Sequence, residues 1–314
     1  MYPLEGIHHI SAITGDARRN VDFYTGTLGM RLVAKSVNQD DPTVYHLFYG
    51  EEEGRAGADL TFFEYPGATP GRPGAGMVHR IVWRVGSDAA IDFWEQRLGS
   101  RGVDVARAGS SLRFVDPEGL SLELVVADTQ DPPLTAVHPE IPTEFALQGF
   151  EGVRIYSRNQ EASEQMLVDF MGAVRRSDGA FELRGEHRGG WVAFDPAPQL
   201  PGNQSAGVVH HVAFGLQDEH YDAWTRMLDD AGVPGSGPVD RTYFESLYFR
   251  EPGGVLYELA TEGPGFTVDG PVETLGERII LPPQFEPHRD QIESILTPLP
   301  NPRADWPTVP SIHV

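Results

Sequence analysis

Two short stretches, residues 6–11 (GIHHIS) and residues 207–216 (GVVHHVAFGL), decide the fold of this 314-residue chain. Each begins with glycine, continues through a pair of histidines and runs into apolar, β-branched residues, which is the pattern of a buried strand. Only the second stretch is followed by an acidic strand of the form VLYELA. The recurrence of one pattern so far along the chain predicts an internal repeat.

Working outward from these stretches, four segments share one order: a short strand, a helix-like stretch and then several short strands separated by Gly and Pro. Their first strands begin at IHHIS, MVHRIVWRV, EGVRIYS and VVHHVAFGL. A single βαβββ module cannot bury both its sheet and its helix, so modules have to pair. The sequence therefore predicts an α+β fold with four βαβββ modules paired into two domains.

The domain boundaries follow from composition. We expect an N-terminal domain of two modules over residues 1–128 and a Pro- and Thr-rich linker over 129–147. A C-terminal domain of two modules follows over 148–262, and a Pro-rich tail occupies 263–314. Consecutive modules are thus expected to share a domain.

Charge and hydropathy exclude several classes of protein. The formal net charge is −22, which argues against nucleic acid and anionic membranes as partners. No apolar run approaches the ~18 residues of a membrane-spanning helix. Residues 1–5 have neither a basic start nor an apolar stretch, so we expect no signal peptide and a cytoplasmic protein. A homo-oligomer is compatible with the sequence.

The absence of cysteine limits the chemistry. With no cysteine in the chain, disulfides, thiolate nucleophiles and Cys-ligated metal sites are excluded. Any bound metal has to use histidine, carboxylate and water. No glycine-rich nucleotide-binding motif is present either, so no nicotinamide or flavin cofactor is expected.

Aligning the modules identifies two positions where side chains recur. The first strands carry His9, Arg80, Gly152 and His211. The last strands carry Glu64, Glu123, Asp195 and Glu258. Two histidines and one carboxylate on one face hold a divalent metal with adjacent positions open, as non-haem Fe(II) requires. In the doublet of the fourth module, His210 and His211 point to opposite faces of the strand, so only one of them can be a ligand.

At these residues the sequence resembles the vicinal oxygen chelate superfamily, whose βαβββ repeats enclose a divalent metal. It is most similar to the two-domain dioxygenases that cleave the ring of hydroquinones, such as methylhydroquinone and chlorohydroquinone dioxygenases. The resemblance covers nearly the whole chain. It rests on GIHHIS, LTFFEYPG, GVVHHVAF, VDRTYFESLYFREPGGVLYELATEGPGF and TLGERIILPP.

The resemblance implies a ligand set and a metal. Fe(II) would be held by His9, His211 and Glu258, with Mn(II) or another divalent metal as the alternative. The site would then join the first and fourth modules, which agrees with Arg80 and Gly152 standing at the ligand position of the other two.

The resemblance also implies the groups that handle the substrate, a small aromatic diol that reacts with O2. His8 is expected beside a substrate hydroxyl, where a neutral imidazole would take its proton. Arg241 and Tyr248 are expected to hydrogen-bond the anionic oxygen. His210 is left between a role beside the ligands and packing into the opposite core, and His46 between the pocket wall and packing.

Two other classes remain open from the sequence. Isomerases of the glyoxalase type use the same modules with four protein ligands, and Glu64 stands where the fourth would be. Metal-free binding proteins of the same superfamily would not require His9, His211 and Glu258 together.

Overall fold

The computed structural model describes residues 2–304 and 306, and each predicted module is present in it. Every module consists of a strand, a helix and three further strands, so the predicted α+β fold of four βαβββ modules is confirmed. No helix within the described residues is both long and apolar enough to cross a membrane. The end of the predicted tail lies outside the described residues.

The elements of the first two modules follow in chain order. The first module consists of β1 (Ile7–Thr14), α1 (Ala17–Val21), β2 (Arg31–Asn38), β3 (Asp41–Gly50) and β4 (Asp59–Glu64). The second consists of β5 (Met77–Val85), α2 (Asp88–Ser100), β6 (Ala106–Ala108), β7 (Ser111–Val115) and β8 (Ser121–Val126). The helices begin at side-chain caps, since Asp16 accepts from the backbone N–H of Arg19 and Ser87 from that of Ala90.

The last two modules repeat this order. The third consists of β9 (Phe150–Tyr156), α3 (Gln160–Gln165), β10 (Val174–Arg175), β11 (Phe181–Arg184) and β12 (Gly189–Phe194). The fourth consists of β13 (Val208–Leu216), α4 (Tyr221–Asp230), β14 (Gly235–Asp240), β15 (Glu245–Arg250) and β16 (Leu256–Thr261). Helices α1 and α3 each continue as a π-helix, over Asp22–Thr27 and Met166–Phe170.

The strands form two eight-stranded sheets that do not follow the chain order of the modules. The first sheet has the order β14-β15-β16-β13-β1-β4-β3-β2 and so combines the fourth module with the first. The second, β10-β11-β12-β9-β5-β8-β7-β6, combines the third with the second. The expectation that consecutive modules pair within 1–128 and within 148–262 is therefore wrong, because each sheet combines one module that precedes the segment 129–147 with one that follows it. The boundaries 1–128, 148–262 and 263–314 stay predictions about segments of the chain.

Burial explains why β1 and β13 occupy the centre of the first sheet. Every residue of β1 is buried, and so is all of β13 except His210. Such strands need a hydrogen-bonding neighbour on both sides, since an unpaired edge would leave buried backbone groups unsatisfied. β1 and β13 supply one of these neighbours to each other, with Ser11 opposite His211, and thereby bring the two histidine doublets together.

The glycine that precedes each histidine doublet has a steric reason. A Cβ on Gly6 would lie 2.4 Å from the carbonyl carbon of Gly189, where the start of β1 approaches β12 of the other sheet. Gly207 has a φ of 77°, a conformation that L side chains rarely adopt, and its N–H donates to Ile13. The repeated motif therefore begins with glycine because the backbone requires it twice.

The second sheet has ion pairs where the first has histidines. Arg80 contacts Glu123 at 3.2 Å, and Arg113 contacts the same carboxylate at 3.0 Å. Across the sheet, Arg154 holds Asp195 at 2.6 Å. Glu123 is buried and neutralised by two arginines, so it holds the sheet together as one half of an ion-pair cluster.

The tail covers one end of the first sheet. The ammonium group of Lys35 on β2 donates to the carbonyls of Glu277 and Leu299, and the N–H of Ile280 donates to the carbonyl of Lys35. A helix, α5 (Arg289–Ile295), lies in the same segment. The tail is thus hydrogen-bonded to β2, which is an edge strand of the first sheet.

Candidate metal centre

Three side chains of the first sheet converge where its two modules meet. His9 lies on β1, His211 on the adjacent β13, and Glu258 on β16 at the other side of β13. Glu258 is paired with Ala213, two residues beyond His211, so strand alternation directs both side chains to one face. All three side chains are buried.

The converging atoms lie within bonding distance of one shared ion. The Nε2 atoms of His9 and His211 are 3.3 Å apart, and they lie 3.0 and 2.8 Å from Oε2 of Glu258. The other carboxylate oxygen, Oε1, accepts from the hydroxyl of Ser246 at 2.5 Å. Among residues 2–304 and 306, these three form the only group of His, Asp or Glu side chains with such convergence.

The donor set fits a divalent cation. Nδ1 of His9 lies 2.9 Å from Nδ1 of His8, and Nδ1 of His211 lies 2.8 Å from Nδ1 of His210. When the inner histidines donate through Nδ1–H, both Nε2 lone pairs face Oε2 of Glu258, which has no hydrogen-bond donor. Two lone pairs and an anionic oxygen facing one another are consistent with a divalent cation between them.

His8 lies behind the three-residue cluster and does not line the cavity onto which that cluster opens. Its Nε2 is 3.0 Å from the carbonyl oxygen of Thr261, and it borders a separate cavity on the far side of Phe244. Burial and the neighbouring His9 lower the pKa of His8 to about 3, so the ring is neutral. One tautomer meets both contacts, accepting from His9 at Nδ1 and donating to Thr261 at Nε2. His8 and His9 are neighbours on a strand and point to opposite faces. The contact of His8 with a substrate hydroxyl stays a prediction.

His210 supports His211 in the same way but is also accessible from the substrate side. Burial and the neighbouring His211 lower the pKa of His210 to about 3. Its ring lies edge-on to Phe63, with the centroids 5.7 Å apart, and it forms part of the wall of the main cavity. The neutral ring therefore orients its neighbour and contributes a polar edge to that cavity.

The open side of the three-residue cluster faces a cavity of about 430 Å³. Next to the cluster its walls are mainly aromatic: His46, Phe48, Phe63, Tyr243 and Phe244. The tail contributes Ile280 and Pro282. This volume lies in the range of small-molecule sites, and the aromatic walls suit a planar ring.

Arg241 and Tyr248 both line this cavity. Tyr248 is the strand partner of Glu258. Nε of Arg241 donates to Oη of Tyr248 at 3.1 Å, and the guanidinium group lies over the tyrosine ring at 5.1 Å from its centroid. Burial and the charge of Glu258 raise the pKa of Tyr248, so its hydroxyl keeps its proton and is a donor.

Comparison with known proteins identifies the family. The model described as the Glyoxalase/Bleomycin resistance protein/Dioxygenase superfamily matches residues 6–124 and 86–259. The chain belongs to this superfamily. The two overlapping matches agree with a structure made of repeated modules.

Members of this superfamily with known names resemble the chain over almost its full length. It is 40% identical to "Putative ring-cleaving dioxygenase MhqA" of Bacillus subtilis (strain 168), over 94% of this chain and 99% of that protein. It is 33% identical to the chlorohydroquinone/hydroquinone 1,2-dioxygenase of Sphingobium indicum, over 92% of this chain and 95% of that protein.

Solved structures of the superfamily share the fold. A crystal structure of a "putative dioxygenase" from Bacillus subtilis superposes with a TM-score of 0.88 at 38% identity, covering 95% of this chain and 98% of that one. Glyoxalase I from Zea mays superposes with a TM-score of 0.56 at 16% identity, covering 82% and 92%. Because dioxygenases and isomerases share this superfamily fold, the ligand set has to separate them.

Glu64, the fourth ligand of the isomerase interpretation, does not reach the cluster. It is paired with Thr14 at the end of β4, and its Oε1 accepts from the backbone N–H of Ala17 at 2.9 Å. Thr61 pairs with Ser11, just as Glu258 pairs with Ala213. Thr61 therefore holds in the first module the place that Glu258 holds in the fourth. The alignment of Glu64 with Glu258 is therefore wrong by three residues. It matched the two positions by residue type, whereas the strand register places Thr61 at the position of Glu258.

Replacing Glu64 by Gln is expected to leave the metal content unchanged. The amide oxygen still accepts from Ala17, so the free energy of unfolding should fall by about 0.5–1.5 kcal/mol at most, as for one hydrogen bond weakened by loss of charge. Elemental analysis of the purified variant, beside its thermal unfolding, tests this. Near-complete loss of metal would restore Glu64 as a ligand.

Sequence reasoning missed a second polar group beside the cluster. The hydroxyls of Ser11 and Thr61 are 2.7 Å apart, and Nε2 of His46 lies 3.0 Å from the Thr61 hydroxyl. Strand alternation from His9 to Ser11 was the signal that could have found it, since both residues share a face. Asp59, paired with His9, is also buried, and burial raises its pKa to about 7. Nothing in the local sequence distinguishes Asp59 from a surface acid.

Proposed function

We propose that the protein is a non-haem Fe(II) dioxygenase that cleaves the ring of a hydroquinone-type aromatic with O2. One observation carries the proposal: a buried cluster of His9, His211 and Glu258 opens onto an aromatic cavity, with Thr61 where a fourth carboxylate ligand would stand. A named relative of 33% identity acts on chlorohydroquinone and hydroquinone, which supports this substrate class over catechols.

The metal would be held by the two Nε2 atoms and by Oε2 of Glu258. Fe(II) bound there would supply adjacent coordination positions for a phenolate and O2 and carry electrons between them. Mn(II) or another divalent cation is compatible with the same ligands. The outer histidines, His8 and His210, fix the tautomer and orientation of the inner pair.

The cavity residues would bind and orient the diol. Phe48, Phe63 and Phe244 enclose a planar ring, and their apolar surface excludes water from the reacting face. The Tyr248 hydroxyl would donate to the substrate oxygen that carries negative charge, and Arg241 would stabilise that charge from behind the tyrosine. No group here requires an external reductant.

Oxygen uptake tests the proposal. The protein is loaded anaerobically with Fe(II), and O2 consumption is measured with a panel of hydroquinones and catechols. Conversion of the methylglyoxal–glutathione hemithioacetal is followed in parallel. We expect uptake of one O2 per ring cleaved with hydroquinones and no turnover of the hemithioacetal. Turnover of the hemithioacetal without O2 uptake on any aromatic would reverse the assignment in favour of an isomerase.

A further inference from the structure

The metal centre consists of two half-sites that occupy equivalent places in the first and fourth modules. His9 on β1 corresponds to His211 on β13, and each is followed two residues later by the residue that pairs with the last strand of its module. That partner is Thr61 in the first module and Glu258 in the fourth. Thr61 is therefore the structural counterpart of the ligand Glu258.

The equivalence extends to the next strand of each module. Glu258 is paired with Tyr248, and the residue two positions before that tyrosine, Ser246, donates to Glu258 at 2.5 Å. Thr61 is paired with Phe48, and the residue two positions before that phenylalanine, His46, hydrogen-bonds Thr61 at 3.0 Å. Each half-site thus contains one hydrogen-bonded couple in the same place.

The two hydrogen-bonded couples differ in which of their two positions carries the larger side chain. The fourth module combines a long acid with a small serine, whereas the first combines a short threonine with a bulky imidazole. His46 is fixed between Phe48 and Phe63, with ring centroids 3.9 and 4.3 Å away, and it lines the cavity. A glutamate at position 61 would have to enter the space that His46 fills.

We propose that Thr61 and His46 together determine that the metal has three protein ligands and not four. Thr61 is too short to reach the metal, and His46 fills the room that a longer acid at position 61 would need. Ser11 holds the Thr61 hydroxyl from the other side at 2.7 Å. The inference rests on the proposed oxygenase function, for which a site with three protein ligands leaves the remaining coordination positions to substrate and O2.

Transferring the couple of the fourth module onto the first tests the proposal. The double variant Thr61→Glu/His46→Ser should hold Co(II) and Ni(II) at least about 10-fold more tightly than the parent, since even losses outside the ligand shell change affinity by 10–100-fold. The visible spectrum of its Co(II) form should change because one more protein oxygen binds. Its O2 uptake with Fe(II) should fall to background. An unchanged affinity and Co(II) spectrum would overturn the proposal.

A rescue experiment covers the case in which the double variant folds poorly. Glu258→Thr alone should lose the metal, and adding Thr61→Glu with His46→Ser should restore metal binding, because the carboxylate moves to the equivalent place in the other half-site. Failure of rescue in a variant with a parent-like thermal unfolding curve would show that position 61 does not face the metal. The matched control is Glu64→Gln in the same background, which should not restore binding.

These measurements are independent of the proposed reaction. If the Fe(II)-loaded parent consumes no O2 with any aromatic, the proposed function fails, but the Co(II) affinities and spectra still decide whether Thr61 and His46 set the ligand number. If the parent is an oxygenase and the double variant remains one with an unchanged Co(II) spectrum, only the inference about the couple fails.

Discussion

Alanine at His9, His211 or Glu258 is expected to abolish metal retention and oxygen uptake together. Each side chain supplies one of the three converging atoms, and a site that loses one becomes a weak two-point chelate. The loss in affinity should exceed the 10–100-fold typical of changes outside the ligand shell, so dialysed protein should contain almost no metal. Elemental analysis and O2 uptake, on variants whose circular dichroism matches the parent, measure both effects.

The control variants lie at equivalent positions in the second sheet. Arg80→Ala and Glu123→Ala remove the residues that correspond there to His9 and Glu258, and they should keep the metal content of the parent. Both changes break a buried ion pair and will lower stability, so metal is compared per folded protein. A Glu123 variant that loses metal beside a Glu258 variant that retains it would show that the site lies in the other sheet.

The module plan could be predicted from the sequence because it depends on local patterns. Each of these patterns involves residues close together in the sequence: the glycine before each histidine doublet, the apolar strands and the helix caps. Which modules share a sheet is a long-range choice, and chain order favoured consecutive pairs. The sequence itself indicated the observed pairing, since only the first and fourth modules carry histidine at the aligned position, and a site between them requires β1 beside β13.

The three candidate ligands could be found from residue type, but the place of Thr61 opposite Glu258 could not. Histidine and glutamate at corresponding places indicate a metal whatever the register. Glu64 also looked like a ligand because it is the acid closest to the expected place, yet β4 ends there and its carboxylate binds the start of α1. The register of β4 decides whether Thr61 or Glu64 lies opposite Ser11. This register is set by pairing with β1, and the sequence of β4 itself does not specify it.

The outer histidines show how far strand alternation extends as a rule. Applied to His8 and His9, alternation predicts that only one of them faces the cluster, and the ring of His8 is hydrogen-bonded to Thr261 behind it. At the other doublet, His210 also lines the main cavity. The repeated HH motif does not show that His210 lines the cavity and that His8 does not. That difference depends on the backbone geometry around each doublet.

Replacing Tyr248 by Phe should lower kcat with a hydroquinone by about 10²–10³-fold, as for loss of one donor to a developing oxyanion, and leave the metal content unchanged. Because Oη of Tyr248 accepts from Arg241, its own proton is directed elsewhere, and the cavity is the side it lines. Burial raises its pKa above the ordinary value, so the hydroxyl is protonated throughout the working range. The deficit should therefore be constant between about pH 6 and pH 9.

The matched control is Tyr156→Phe in the second sheet, where the tyrosine ring stacks on His79 and is not part of the cavity lining. It should keep the kcat of the parent. Steady-state O2 uptake across the pH range compares the two variants with the parent. A deficit in Tyr248→Phe that disappears as pH rises would mean that Tyr248 acts by accepting a proton, because a phenolate base becomes dispensable once the substrate ionises by itself. A constant deficit identifies Tyr248 as a hydrogen-bond donor to the bound diol.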